Sequence, residues 1–194
     1  MCHGTSGQDA HAPPIQSCRA VFQRAAQTLK IAEDGNLSLL TIALDHLTLG
    51  RAALYEAILE DSSLDPCHSS LEHAVDGLRR SGHQDDLPRS LLTRAWLRSF
   101  SGARTGPEGA QSDLDEAWEI AERGPMPLFL ADIHLHRARL FGRMKDEGGN
   151  MKYPWESPHK DLAEARRLIE KHGYGRRMEE LEDAENVIVQ KPSN

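Results

Sequence analysis

Three arginines, Arg51, Arg94 and Arg137, stand 43 residues apart in one recurring pattern: Leu49-Gly50-Arg51-Ala52, Leu92-Thr93-Arg94-Ala95 and Leu135-His136-Arg137-Ala138. A guanidinium is a planar fork of donors that stays charged, so three at equivalent positions could stack into a ladder for a carboxylate, a phosphate or an acidic peptide. Asp132, His134 and His136 lie just before the last of them, and these are residue types that serve metal-assisted hydrolysis. Zinc sites on helices favour histidines three or four apart. His134 and His136 are two apart and face different ways, so no metal centre is expected, and His134 joins the arginines as a candidate polar contact. Tyr153 and Trp155 stand in Met151-Lys152-Tyr153-Pro154-Trp155-Glu156-Ser157-Pro158, where two prolines hold the chain extended. An aromatic pair held in this way is either a plug over neighbouring helices or a recognition anchor.

Each of these residues also has a structural reading. The arginines could pair with acidic neighbours such as Asp45, Asp76 or Glu116 and tie helices together. Trp96 and Trp118 directly follow Ala95 and Ala117, which suits packing between helices. His46 falls on a helix, whereas His73, His83, His159 and His172 fall near helix ends or loops, where exposure or capping is expected. Gly173-Tyr174-Gly175-Arg176-Arg177 is glycine-bounded and basic, as a phosphate loop is. It follows a helix and lacks a Lys-Ser or Lys-Thr, so a tight turn with Tyr174 packed inward is the better reading. No Ser-His-Asp or Cys-His set has informative spacing, and neither a catalytic residue nor a cofactor is expected.

The elements that must position these side chains come from the same repeat. A second pattern follows each arginine: Leu71-Glu72-His73-Ala74, Leu114-Asp115-Glu116-Ala117 and Leu162-Ala163-Glu164-Ala165, each closing on a glycine, Gly82, Gly124 or Gly173. The last step is longer by the residues of the Tyr-Pro-Trp insertion. Self-similarity at 20 to 50 residues is the signature of stacked supersecondary units. The apolar spacing predicts helices over about 15–32, 37–59, 70–80, 87–100, 112–122, 128–143, 159–171 and 178–189, with a loop over 61–70. Nothing alternates with period two, so no sheet is expected. Residues 1–14 are predicted to be a disordered lead and 190–194 a tail. Between them, 15–189 reads as a single domain with units of roughly 15–35, 37–82, 87–124 and 128–173, closed by a capping helix over 178–189.

This pattern resembles the tetratricopeptide repeat, in which one helix carries a small residue between large ones and its partner carries an alanine about twenty residues later. Gly50 or Ala52, Ala95 and Ala138 occupy the first position, and Ala74, Ala117 and Ala165 the second. The period of 43 exceeds the family's usual 34 or so; the extra length lies in the turns, and most of the family's Trp, Tyr and Pro positions are absent. The stretches 87–95, 112–122, 131–135 and 169–181 are similar to the C-terminal helical arrays of bacterial signalling NTPases of the STAND or NACHT type. The resemblance covers about 16–189 and implies an all-α, right-handed superhelical stack of antiparallel helix pairs, with the first helices lining a concave binding face. It also implies a sensing portion of a signalling system; no Gly-x-x-x-x-Gly-Lys-[Ser/Thr] loop is present to act as its motor.

Composition bounds the function further. The chain has 194 residues, a net charge of −7 and only 5% aromatic residues, which disfavours a sandwich and general nucleic-acid binding. No apolar run reaches membrane-spanning length, and the N-terminus lacks the order of a secretory signal. Cys2, Cys18 and Cys67 are odd in number and widely spaced, which suits reduced thiols in a cytoplasmic protein. The expectation is a non-enzymatic scaffold that binds a protein or peptide, with an acidic ligand favoured by the arginines. Arg51, Arg94, Arg137 and His134 are the polar anchors and Tyr153 and Trp155 the aromatic ones. The alternatives are a helical metal-dependent hydrolase and a module that forms homo-oligomers through the ends of the stack.

Overall fold

A computed structural model describes residues 12–145, 148–150 and 152–189. Those residues are all-helical, with helix α1 over Ala12–Asp34, α2 over Leu39–Glu60, α3 over Asp65–Ser81, α4 over Leu87–Phe100, α5 over Ala110–Arg123, α6 over Pro127–Phe141, α7 over Pro158–His172 and α8 over Met178–Val189. No described helix is long and apolar enough to cross a membrane. The chain divides into two compact units, Met1–Leu97 and Arg98–Asn194. Most of the predicted lead, residues 1–11, and the tail, 190–194, lie outside the described residues.

In the first unit, Ser38 caps α2 by accepting from the Thr41 N–H, which satisfies one of the orphan donors at a helix start. The core is built from Leu47, Leu54 and Ala57 of α2, Cys67, Leu71 and Ala74 of α3 and Leu97 of α4, with Trp96 packed against it. Two glycines let helices approach closely. A Cβ on Gly50 would lie 2.6 Å from Leu71 Cδ2, and one on Gly77 would lie 2.7 Å from the Ala43 Cβ. Cys18 and Cys67 are free thiols.

In the second unit, the core joins Ala131, Leu135 and Ala138 of α6, Leu162, Ala165, Leu168 and Ile169 of α7 and Leu181 and Ala184 of α8, with Tyr174 buried among them. Helix α7 ends at Gly173, whose φ of 66° is the left-handed conformation that glycine adopts without steric cost. A 3-10 turn, Gly175–Arg177, leads into α8.

Two predicted boundaries require correction. Helix α3 begins at Asp65, inside the predicted loop, because Ser63 Oγ accepts from the Asp65 N–H and Pro66 fits a first helical turn. Helix α1 starts at Ala12, ahead of the predicted Ile15, since proline is tolerated where the N–H would have no intrahelical partner. Gly124 follows α5 at φ −89°, so that helix ends without the left-handed cap.

Candidate functional site

Helix α6 has eight consecutive buried residues, Ala131 to Ala138, and four of them, Asp132, His134, His136 and Arg137, are polar. Buried polar groups are costly unless hydrogen-bonded, and each of the four finds a different partner. Asp132 accepts from Arg177 Nε at 2.8 Å and from the Tyr174 hydroxyl at 3.1 Å. Burial pushes its carboxyl above the ordinary range, against the opposing pull of Arg177 and Tyr174. His136 Nδ1 lies 2.6 Å from the Asp132 carbonyl one turn back. His134 Nδ1 lies 2.6 Å from Asp161 Oδ1 at the start of α7.

Arg137 is the centre of the arrangement. Its guanidinium lies between two indoles, 4.6 Å from the Trp118 ring centroid and 4.5 Å from that of Trp155. Asp115 of α5 joins the two layers, since Arg137 Nη2 approaches it at 3.4 Å and Trp155 Nε1 donates to it at 2.8 Å. Burial lowers the Arg137 pKa, opposed by Asp161 and Asp115; Arg137 Nε is itself buried without a hydrogen-bond partner. Trp155 further meets Phe141 and Tyr153 edge-on, at centroid distances of 5.1 and 5.4 Å, a geometry that aromatic quadrupoles favour. The Tyr153 hydroxyl donates to Asp161. Burial and the Asp161 carboxylate both push the Tyr153 pKa up, so the hydroxyl keeps its proton.

The proline-held segment is therefore a strap stapled to α5, α6 and α7 by two aromatic rings. Beside it opens a cavity of about 430 Å³ lined by His134, Arg137, Trp155, Lys160, Asp161 and Arg167, among others. Two exposed ion pairs stand at its rim, Lys160 with Glu156 and Arg167 with Glu164. Arg167 holds the Glu164 carboxyl below its ordinary range. Exposed pairs of this kind contribute only about 0–1 kcal/mol, so the rim can exchange partners where the buried layer cannot.

The three repeated arginines are each tied to a neighbouring helix. Arg94 Nη1 donates to Glu72 at 2.6 Å, and Arg137 Nη2 to Asp115 at 3.4 Å; both pairs are separated by 22 residues. Glu72 and Asp115 are themselves one repeat apart, so one interhelical tie occurs once in each unit. Position 29, the equivalent in the preceding repeat, is Leu29. Arg51 reaches forward instead, to Thr93 Oγ1 at 2.8 Å. Of the acids suggested by sequence, Asp45 accepts from Thr28 Oγ1 and Asp76 from Arg80 Nη1.

One further expectation changes. His73, assigned to an end or loop, lies inside α3 and stacks on His46 with centroids 4.9 Å apart and planes at 22°. Burial first, then the neighbouring His73, lowers the His46 pKa. Asp132, His134 and His136, which a metal-dependent hydrolase would need together, point to Arg177, Asp161 and a carbonyl respectively. Among the described residues, no three His, Cys, Asp or Glu side chains are grouped to hold a metal ion.

Sequence reasoning missed Asp115, Asp161, Lys160 and Arg167. Asp115 carried a signal, its place one repeat after Glu72; Asp161 carried none, because only the folded strap brings Tyr153 to it. Comparison with protein-family models, with curated proteins and with solved structures finds no match for this chain.

Proposed function

We propose that this protein is a helical scaffold that binds a protein or peptide segment, and that the cavity beside Trp155 is its recognition site. The observation that carries this reading is the partly buried Trp155 ring, fixed on its Arg137 and Asp115 side and lining a cavity of about 430 Å³. A rigid aromatic anchor costs little conformational entropy on binding and is the residue type most enriched at interaction hot spots.

Polar anchoring falls to Lys160 and Arg167, whose present acidic partners are exposed. Arg137 is the floor that holds the indole in place. A ligand carboxylate would replace Glu156 or Glu164 at small cost, which is the reason for favouring an acidic segment. The repeated tie between Arg94 and Glu72, and between Arg137 and Asp115, supports a tetratricopeptide-like stack, proposed here as right-handed. It is compatible with a sensing role in a STAND-type signalling system.

Selection of displayed peptides on the full chain tests the proposal. Peptides carrying Asp or Glu near an apolar residue are expected to be enriched, and Trp155→Ala should weaken the selected peptide about tenfold or more while the helical circular dichroism is kept. Enrichment of no sequence, or equal affinity for the folded variant, would refute it.

A further inference from the structure

The first unit contains a second cavity that the peptide reading does not use. It has a volume of about 400 Å³ and is lined by Ser17, Cys18 and Val21 of α1, Leu44, Leu47, Thr48, Arg51, Ala52 and Tyr55 of α2, and Arg89 of α4. That volume falls within the range of small-ligand sites. The wall is apolar along most of its length. Leu47 and Ala52 are buried at its floor, while Val21 and Tyr55 remain 36% and 49% exposed at its sides.

The charge of the lining is one-sided. Among the described residues it has two guanidinia and no carboxylate, in a chain whose net charge is −7. The acids of the neighbouring α2 turns, Glu56 and Glu60, are both bound by Arg19 at 2.6 Å. Arg51 is held in place by its bond to Thr93 Oγ1 and contributes a fixed positive charge. Arg89 is 48% exposed, and its nearest acidic oxygen in an ion pair, on Asp86, is 3.9 Å away. An exposed pair at that distance is weak, so the Arg89 fork is available to an incoming carboxylate, which it can meet with two parallel hydrogen bonds.

We infer that this groove binds a small amphipathic monocarboxylate, a medium-chain fatty acid, with the alkyl chain along Val21, Leu44, Leu47 and Tyr55 and the carboxylate at Arg89 beside Arg51. The charge complementarity selects an anion, and the predominance of apolar surface along the rest of the wall, where the Thr48 hydroxyl is already turned back to the Leu44 carbonyl, selects an alkyl body. The inference is independent of the peptide site, which is built from other helices.

Isothermal titration calorimetry on the full chain tests it, with octanoate, decanoate and dodecanoate below their micelle concentrations and decanol as the uncharged match. One decanoate is expected per chain, with affinity rising about fourfold per methylene, as burial of about 0.8 kcal/mol each implies. Decanol should bind about tenfold more weakly. Two exposed positions give independent variants whose folding circular dichroism checks: Arg89→Glu removes the anion partner and Thr48→Phe fills the groove. Each should reduce decanoate affinity about tenfold or more. Absence of decanoate binding, equal binding of decanol, or unchanged affinity in either folded variant would overturn the inference. So would binding of a peptide ending in an apolar residue with a free carboxylate where decanoate fails.

Discussion

Arg137 shows how one side chain can be legible in type and not in role. Its recurrence at the interval of Arg51 and Arg94 marks it as a repeat position, but only the fold places it between Trp118 and Trp155. The two stacked contacts depend on a flat, delocalised cation, which lysine lacks. Arg137→Ala should therefore lower stability by about 2 kcal/mol, and Arg137→Lys should recover less than half of that in chemical denaturation. A full rescue by lysine would mean that charge alone matters. His46 makes the stability of the fold depend on pH. Its pKa in the folded state is lowered, by burial first and by His73 second, while Glu33 and Asp45 pull the other way. The unfolded chain therefore takes up a proton first as the pH falls. The stability from neutral His46 is fully present above the unfolded value near 6.5 and is lost as pH drops through it toward the lowered folded value. Urea midpoints should fall between pH 7 and 5, and fall less in His46→Leu; an equal fall in both would contradict this.

At the scale of the elements, the repeat positions read from sequence became the places where helices meet. Ala74, Ala95, Ala117, Ala138 and Ala165 are all essentially inaccessible to solvent, and Gly50 faces Leu71 where a Cβ would collide. These positions were legible because a close helix contact admits only a small side chain, and that demand recurs with the repeat. Gly50→Ala should accordingly cost about 1–2 kcal/mol in thermal or chemical unfolding, since overpacking outweighs the gain in helix propensity of about 1 kcal/mol. A stabilised variant would show that α2 and α3 have room to separate. The start of α3 was less legible. Ser62, Ser63 and Pro66 read as loop residues, yet Ser63 and Pro66 also suit a helix start, and the apolar spacing becomes regular only from Leu71. The strap's attachment was not legible at all, because the bonds of Tyr153 to Asp161 and Trp155 to Asp115 join residues with no shared pattern.

At the scale of the whole molecule, the described residues are all-helical and the chain divides into two compact units, each with a copy of the same arginine-to-acid tie. The repeat uses those arginines to join helices, which leaves recognition to residues outside the repeat: the strap inserted before α7 and the exposed cations on α7 itself. The central claim is that a peptide segment docks against Trp155. The most direct measurement is the nuclear magnetic resonance signal of the Trp155 indole N–H, assigned by its loss in Trp155→Phe, during titration of the wild-type chain with a selected acidic peptide. This signal is expected to shift in saturable fashion together with the backbone amides of Ser157 to Arg167. A peptide that binds while the indole and those amides stay unmoved would contradict it.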